Sequence, residues 1–117
     1  MSLLAVDIEV TENNDAEVEI ALSSTLDGVT TPTDLTGSSL EFYAKTDVAQ
    51  TDASAPVKYT TASGTIGILG VPTDGRILIY MTRADLATPG EYPYHLDRIK
   101  AGKRLTVLYG KLRVVNV

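Results

Sequence analysis

The chain has no cysteine and no tryptophan, and only one phenylalanine and one histidine among its 117 residues. Without thiols there is no disulfide framework, no thiolate metal site and no cysteine nucleophile. With Phe42 as the only large ring lacking a hydroxyl, the core must be built from Leu, Ile and Val. The six tyrosines are expected to bury their rings and keep their hydroxyls near water. A lone His95 has no second imidazole to share a metal and no serine motif to activate. Long apolar runs are missing too. The longest near the N-terminus is Leu3–Val6, far short of a membrane span or the core of a signal peptide. No stretch keeps an apolar 3.6-residue period over three turns, which argues against ordinary helices.

What remains is alternation. Val6, Ile8 and Val10 point one way and Asp7 and Glu9 the other; Val18, Ile20 and Leu22 alternate with Glu17 and Glu19. The polar Glu12–Asp15 between these runs reads as a turn, so the two strands are expected to form a hairpin. Leu40, Phe42 and Ala44 make the inward face of a third strand, and short strands follow near 57–61 and 65–69. Asp74-Gly75 launches a strand over 76–82, and a single helical turn is expected near 84–87. Pro89-Gly90 stops that turn, in the pairing of a type II turn that needs φ > 0 at Gly90. Tyr92, Tyr94 and Leu96 then face inward, with a tyrosine hydroxyl expected to return to loop backbone. Such a strand–corner–strand unit carries a chain from one sheet of a sandwich to the other. Ala101-Gly102-Lys103 turns into a last pair of strands, with a bulge or kink expected at Gly110. Residues 23–37 and 46–56 are small, polar and Gly/Pro-containing, so both read as loops, the second a mobile one. The fold class is therefore all-β, an antiparallel β-sandwich in a single domain over 1–117, with at most one short helical turn.

Charge is unevenly distributed along the chain. Residues 1–56 hold eleven acids and one base, Lys45, for a net −10, and residues 57–117 hold four acids and nine bases, for +5. If the first two strands pair, Asp7, Glu9, Glu17 and Glu19 line one outer face. That face discourages edge-to-edge aggregation, with a partner-binding acidic stripe or a calcium site as alternatives. Arg104, Lys111 and Arg113 form the candidate basic counter-face of a neighbouring copy. The dispersed basic residues and acidic pI argue against nucleic acid. His95 and Asp97, two apart on one strand face, read as an exposed surface pair, with a general base or metal ligand as the alternative. Gly64, Gly67 and Gly70 lack the Lys-Ser/Thr of a phosphate loop and read as a bent strand. No catalytic, metal or cofactor residues emerge.

The order of several segments resembles a known group. Asp34-Leu-Thr-Gly37 precedes Leu40-Glu-Phe42, and Asp74-Gly-Arg-Ile-Leu-Ile79 follows. Ala84-Asp-Leu86 then leads to Pro89-Gly-Glu-Tyr-Pro-Tyr94, and Leu105-Thr-Val-Leu-Tyr-Gly-Lys-Leu-Arg-Val114 comes last. Together they are similar to the immunoglobulin-like N-terminal domains of bacteriophage baseplate upper proteins and related tail or neck components. The resemblance spans about residues 34–117, and the helical and receptor-proximal regions of a long baseplate protein do not follow. It implies an immunoglobulin-like sandwich with a structural, non-catalytic role in a phage or prophage virion. The implied partners are other virion proteins or further copies of the chain, with no cofactor and no membrane. The protein would be made in the host cytoplasm without a signal peptide. The alternative is a free-standing binding module of the same fold, carbohydrate-binding or adhesin-like.

Overall fold

The structure, a computed structural model, describes residues 4–46 and 51–116. Its strands are β1 (Leu4–Ala5), β2 (Ile8–Thr11), β3 (Ala16–Ala21), β4 (Ser23–Leu26), β5 (Val29–Pro32) and β6 (Ser39–Ala44). They continue with β7 (Val57–Thr60), β8 (Ile66–Ile68), β9 (Arg76–Met81), β10 (Gly90–Lys100) and β11 (Lys103–Val115). One sheet runs β1-β11-β10-β6-β7, with β2 also on β11; the other runs β3-β9-β8; β4 and β5 form a separate hairpin. Read as an immunoglobulin domain, the first sheet carries positions G, F, C and C′ and the second B, E and D. The fold is thus an all-β sandwich of immunoglobulin order.

Alternation decides which side chains meet. Leu22, Leu40, Phe42, Ile77, Ile79, Met81, Tyr94 and Leu96 are buried in one core, with Val18, Ile20 and Tyr92 packed half-buried against it. Phe42 is stacked on Tyr94, ring centres 5.0 Å apart, and Tyr59 tilts against it at 5.9 Å. Residues 83–86 pass the chain from β9 in one sheet to β10 in the other. Tyr92 at the start of β10 donates its hydroxyl back to the Thr88 carbonyl at 2.7 Å, a tyrosine corner.

Several expectations are corrected. The first two strands do not form a hairpin: β2 pairs in parallel with β11, and β3 pairs antiparallel with β9 in the opposite sheet. Both strands present apolar residues to the same core from opposite walls, so period-2 alternation looks the same in either arrangement. The ladder breaks at Val6-Asp7. There Val6 N–H donates to the Tyr109 carbonyl, its own carbonyl accepts the Tyr94 hydroxyl, and its side chain is left 43 % exposed. A Cβ on Gly110 would collide with that Val6 carbonyl, so glycine there admits a close crossing and makes no kink. The bulge falls instead at Val107, since Leu96 pairs with Leu108 but Asp97 with Thr106.

The expected loop over 23–37 contains the β4–β5 hairpin, turned by Asp27 (φ 52°) and Gly28 (φ 78°), the two-residue turn that Asp-Gly favours. Residues 83–86 form hydrogen-bonded turns, Asp85 N–H to Thr82 O and Leu86 N–H to Arg83 O, with no helix. One-turn 3-10 helices lie at Asp52–Ser54 and Pro72–Asp74. Of the mobile loop expected over 46–56, residues 47–50 lie outside the described residues. Gly90 has φ 152°, positive but far from the type II value, because it is already the first residue of β10.

Candidate functional site

The residues with most chemistry stand together on the outer face of the larger sheet. In β10, His95 and Asp97 point away from the core because Tyr94 and Leu96 point into it. Antiparallel pairing sets Tyr43 of β6 opposite His95 and Glu41 opposite Asp97. On the other flank, the Val107 bulge keeps Thr106 opposite Asp97. The 3-10 turn at 52–54 brings Asp52 over the same face from a distant part of the chain.

The result is a continuous network. His95 Nδ1 lies 2.8 Å from Asp97 Oδ1, and its Nε2 lies 3.0 Å from Asp52 Oδ1. Lys45 Nζ sits 2.7 Å from the same Asp52 oxygen. Arg104 donates to Asp97 Oδ2 and Glu41 Oε1, each at 2.8 Å, and Thr106 donates to Asp97 Oδ1 at 2.8 Å. Tyr43 donates to Glu41 Oε1 at 2.6 Å, and its ring tilts against the His95 imidazole at 5.4 Å. Asp97 is only 2 % exposed, so His95 and Asp97 are not the exposed pair their spacing suggests. Burial pushes the Asp97 carboxyl up, but hydrogen bonds from His95, Arg104 and Thr106 outweigh it and hold it below the ordinary value. Asp52 is lowered chiefly by Lys45, and Glu41 by the Tyr43 hydroxyl and then Arg104. The Tyr43 hydroxyl, donating to a carboxylate, is pushed up to about 12.

Asp52, His95 and Asp97 offer ligand atoms within 4.8 Å of one another, the spacing of a possible metal site. The imidazole lies between the two carboxylates, however, with one nitrogen turned to each, so the donors do not converge on one point. Lys45 and Arg104 already supply positive charge there. The carboxylates at both ring nitrogens, with Lys45 and Arg104 beside them, close the network within the chain.

The other candidate residues are separated by the fold. Asp7 and Glu9 belong to the larger sheet's edge, while Glu17 and Glu19 lie on β3 of the smaller sheet, so the four carboxylates make no single stripe. The basic counter-face is answered inside the chain. Arg104 holds Asp97 and Glu41; Arg113 lies 2.9 Å from Glu91 and 3.9 Å from Asp7; and Lys111 lies 3.7 Å from Glu91. Glu19 is bound by Arg76 at 2.6 Å. Asp52, Glu41, Lys45 and Thr106 were not singled out from the sequence. A usable signal existed only for Thr106, whose place on the long β10–β11 hairpin puts it near Asp97. The sequence matches no protein-family model and no curated protein.

Proposed function

We propose that this chain is a non-catalytic structural protein of a bacteriophage or prophage tail, baseplate or neck, acting through protein–protein assembly surfaces. The observation that carries the reading is the network closed within the chain. Both His95 nitrogens meet carboxylates, and Asp97, the most buried carboxylate among the described residues, has His95, Arg104 and Thr106 as hydrogen-bond partners. A general base needs a free nitrogen or oxygen within reach of a substrate proton, and this arrangement leaves none on the imidazole. It fits a role in stiffening one face of the sandwich. The immunoglobulin order of the strands agrees with the segment resemblance, in which Asp34–Gly37, Asp74–Ile79 and Pro89–Tyr94 serve as turn, strand and corner. Large apolar side chains left on the surface, Tyr80, Leu105 and Tyr109, supply contact area for partners.

The test is fractionation of a phage-producing culture of the source bacterium. Particles are banded on a density gradient and analysed by mass spectrometry for peptides of this chain. Peptides that band with the particles at a fixed ratio to other virion proteins support the reading. Peptides confined to the soluble fraction overturn it, and glycan binding by that soluble protein would move it to the binding-module class.

A further inference from the structure

Among the described residues, three cations lie within 4.0 Å of no carboxylate. Lys45, Arg76, Arg83, Arg104, Lys111 and Arg113 each lie within 4.0 Å of a carboxylate. Arg98, Lys100 and Lys103 have no ion pair among the described residues, and all three belong to the β10–β11 hairpin. Arg98 instead donates to Ser38 Oγ and to the Asp34 backbone carbonyl. Register places Arg98 opposite Leu105 and Lys100 opposite Lys103. These four continue the inward row Tyr92, Tyr94, Leu96, so they occupy the inner face of the sheet. Leu96 is fully buried, yet Lys100 and Leu105 are exposed, Leu105 by 51 %. The hairpin therefore runs past the sandwich and offers a basic inner face with an apolar centre, along a cleft of about 280 Å³.

The opposite pole has the complementary shape and charge. β2 and β3 are edges of different sheets, and between them lies a cleft of about 640 Å³ lined by Glu9, Val10, Asp15, Glu17 and Val18. Glu9 and Glu17 have no ion pair among the described residues, and Asp15 lies 3.7 Å from Arg83. Val18 is only half-buried, whereas Ile79, its partner on β9, is fully buried. Leu22 N–H donates toward β9, so by alternation the backbone N–H groups of Glu17 and Glu19 point away from it, along an open edge. The poles are far apart. Glu12 N–H bonds Val115 O, beside the Gly90 end of β10, and the hairpin tip is at the other end. An eleven-residue strand spans about 34 Å, in a molecule whose long axis is 41 Å.

We propose that the β10–β11 tip of one copy seats in the β2–β3 cleft of the next, joining copies head to tail. This rests on the assembly reading above and names its partner as a second copy of the chain. Arg98, Lys100 and Lys103 face Glu9 and Glu17, and Leu105 covers Val18. The contact joins two different surfaces, so it generates a ring where the rotation closes and a filament where it does not. Symmetric pairing of two β3 edges is opposed, because Glu17 and Glu19 of both copies would face one another. Charge fixes orientation, so association weakens as salt rises.

Sedimentation velocity of the full chain at low and high salt, with two charge-reversed variants, tests the contact. One variant is Lys100→Glu with Lys103→Glu; the other is Glu9→Lys with Glu17→Lys. Far-UV circular dichroism confirms that each keeps the wild-type β spectrum, and Lys103→Ala serves as a milder tip variant. The wild type is expected to associate at low salt and to dissociate at high salt. Each reversed variant alone is expected to sediment as a monomer, and an equimolar mixture to associate in alternation, through reversed tip on reversed cleft and native tip on native cleft, as the wild type does. A wild type that stays monomeric at every concentration at low salt overturns the docking. So do folded variants that associate like the wild type, or a mixture that stays monomeric. Monomeric wild type that still bands with phage particles would remove the head-to-tail contact and leave the structural role standing.

Discussion

Asp97→Ala removes a carboxylate that is 2 % exposed and holds His95, Arg104 and Thr106 at 2.8 Å each. Hydrogen bonds to a charged group contribute about 1.5–3 kcal/mol apiece, so the sum has a ceiling of roughly 4–9 kcal/mol. The partners do not all lose that much. The Arg104 side chain is 49 % exposed and keeps Glu41, so water and the remaining carboxylate recover most of its share. His95 keeps Asp52, but its ring and the Thr106 hydroxyl face the vacated space with less water to replace the lost oxygen. The expected loss is about 2–4 kcal/mol, near the lower end of what breaking a buried charge pair costs. A domain of this size has on the order of 10 kcal/mol in all, so the variant should still fold. With an m-value of about 1–3 kcal/mol/M, urea midpoints measured by circular dichroism should fall by roughly 1–2 M. The effect should also depend on pH with a defined sign. The folded Asp97 carboxyl lies below its ordinary value, so its contribution is complete above pH about 4 and is lost as pH falls through the folded value. The gap between wild type and variant should narrow as pH falls below about 4. A loss under about 1 kcal/mol at neutral pH, or a gap unchanged at about pH 3, would refute the account of Asp97 as a charged anchor.

Other outcomes follow from the same packing. Phe42→Ala should cost about 3–5 kcal/mol in denaturant unfolding, since the ring is fully buried between Tyr59 and Tyr94; a cost under about 1 kcal/mol would place Phe42 outside the core. Gly75→Ala should cost more than the roughly 1–3 kcal/mol of a left-handed non-glycine residue, because φ is 68° and the new Cβ would fall on the backbone of Leu22 and Thr33. Gly64→Ala, with open space around it at φ 80°, should show the strain alone, so equal melting temperatures for the two variants would refute the clash. Alkaline pH should destabilise the fold: burial, and then the Asp7 charge, push the Tyr94 hydroxyl up to about 12, and Tyr59 is raised further. Both raised groups stabilise fully below the unfolded value near 10, and that share is lost as pH climbs through the folded values. Melting temperatures should therefore drop above about pH 10, and Tyr94→Phe should drop less steeply.

What the sequence made legible was local. Alternation identified the buried faces of β3, β6, β9 and β10, because a half-buried strand writes its burial into every second residue. A corner before Tyr92 and a tyrosine hydroxyl bonded to loop backbone are readable from Pro89-Gly90 and the tyrosine spacing, whereas the chain forms neither the helical turn at 84–87 nor a type II turn at Gly90. Partner choice was not, because apolar alternation says which way a strand faces and not which strand it joins. Hence Ile8–Thr11 was matched to its neighbour in sequence and not to Leu112–Val115. Asp27-Gly28 carried a hairpin signal that the polar composition around it obscured. In the network, the His95–Asp97 pair was visible at spacing two. Asp52 reaches it across 43 residues, a separation over which sequence carries no geometric information, whereas Arg104 lies on the same hairpin, seven positions from Asp97.

The parallel seating of β1 and β2 on β11 has a consequence for the order in which this chain acquires its structure. Leu4 pairs with Leu108 and Val10 with Val114, each separated by 104 positions. On the ribosome, residues 4–11 would therefore emerge first and wait longest. No hairpin of their own retains them, and β11 does not exist until synthesis has passed residue 103. The smaller sheet, β3-β9-β8, can pair once residue 81 is out, so it can form before the larger one closes. Loop-closure entropy over so long a separation makes docking of β1 and β2 a late and slow event. Until then the outer edge of β11 stays unpaired and open to any competing strand.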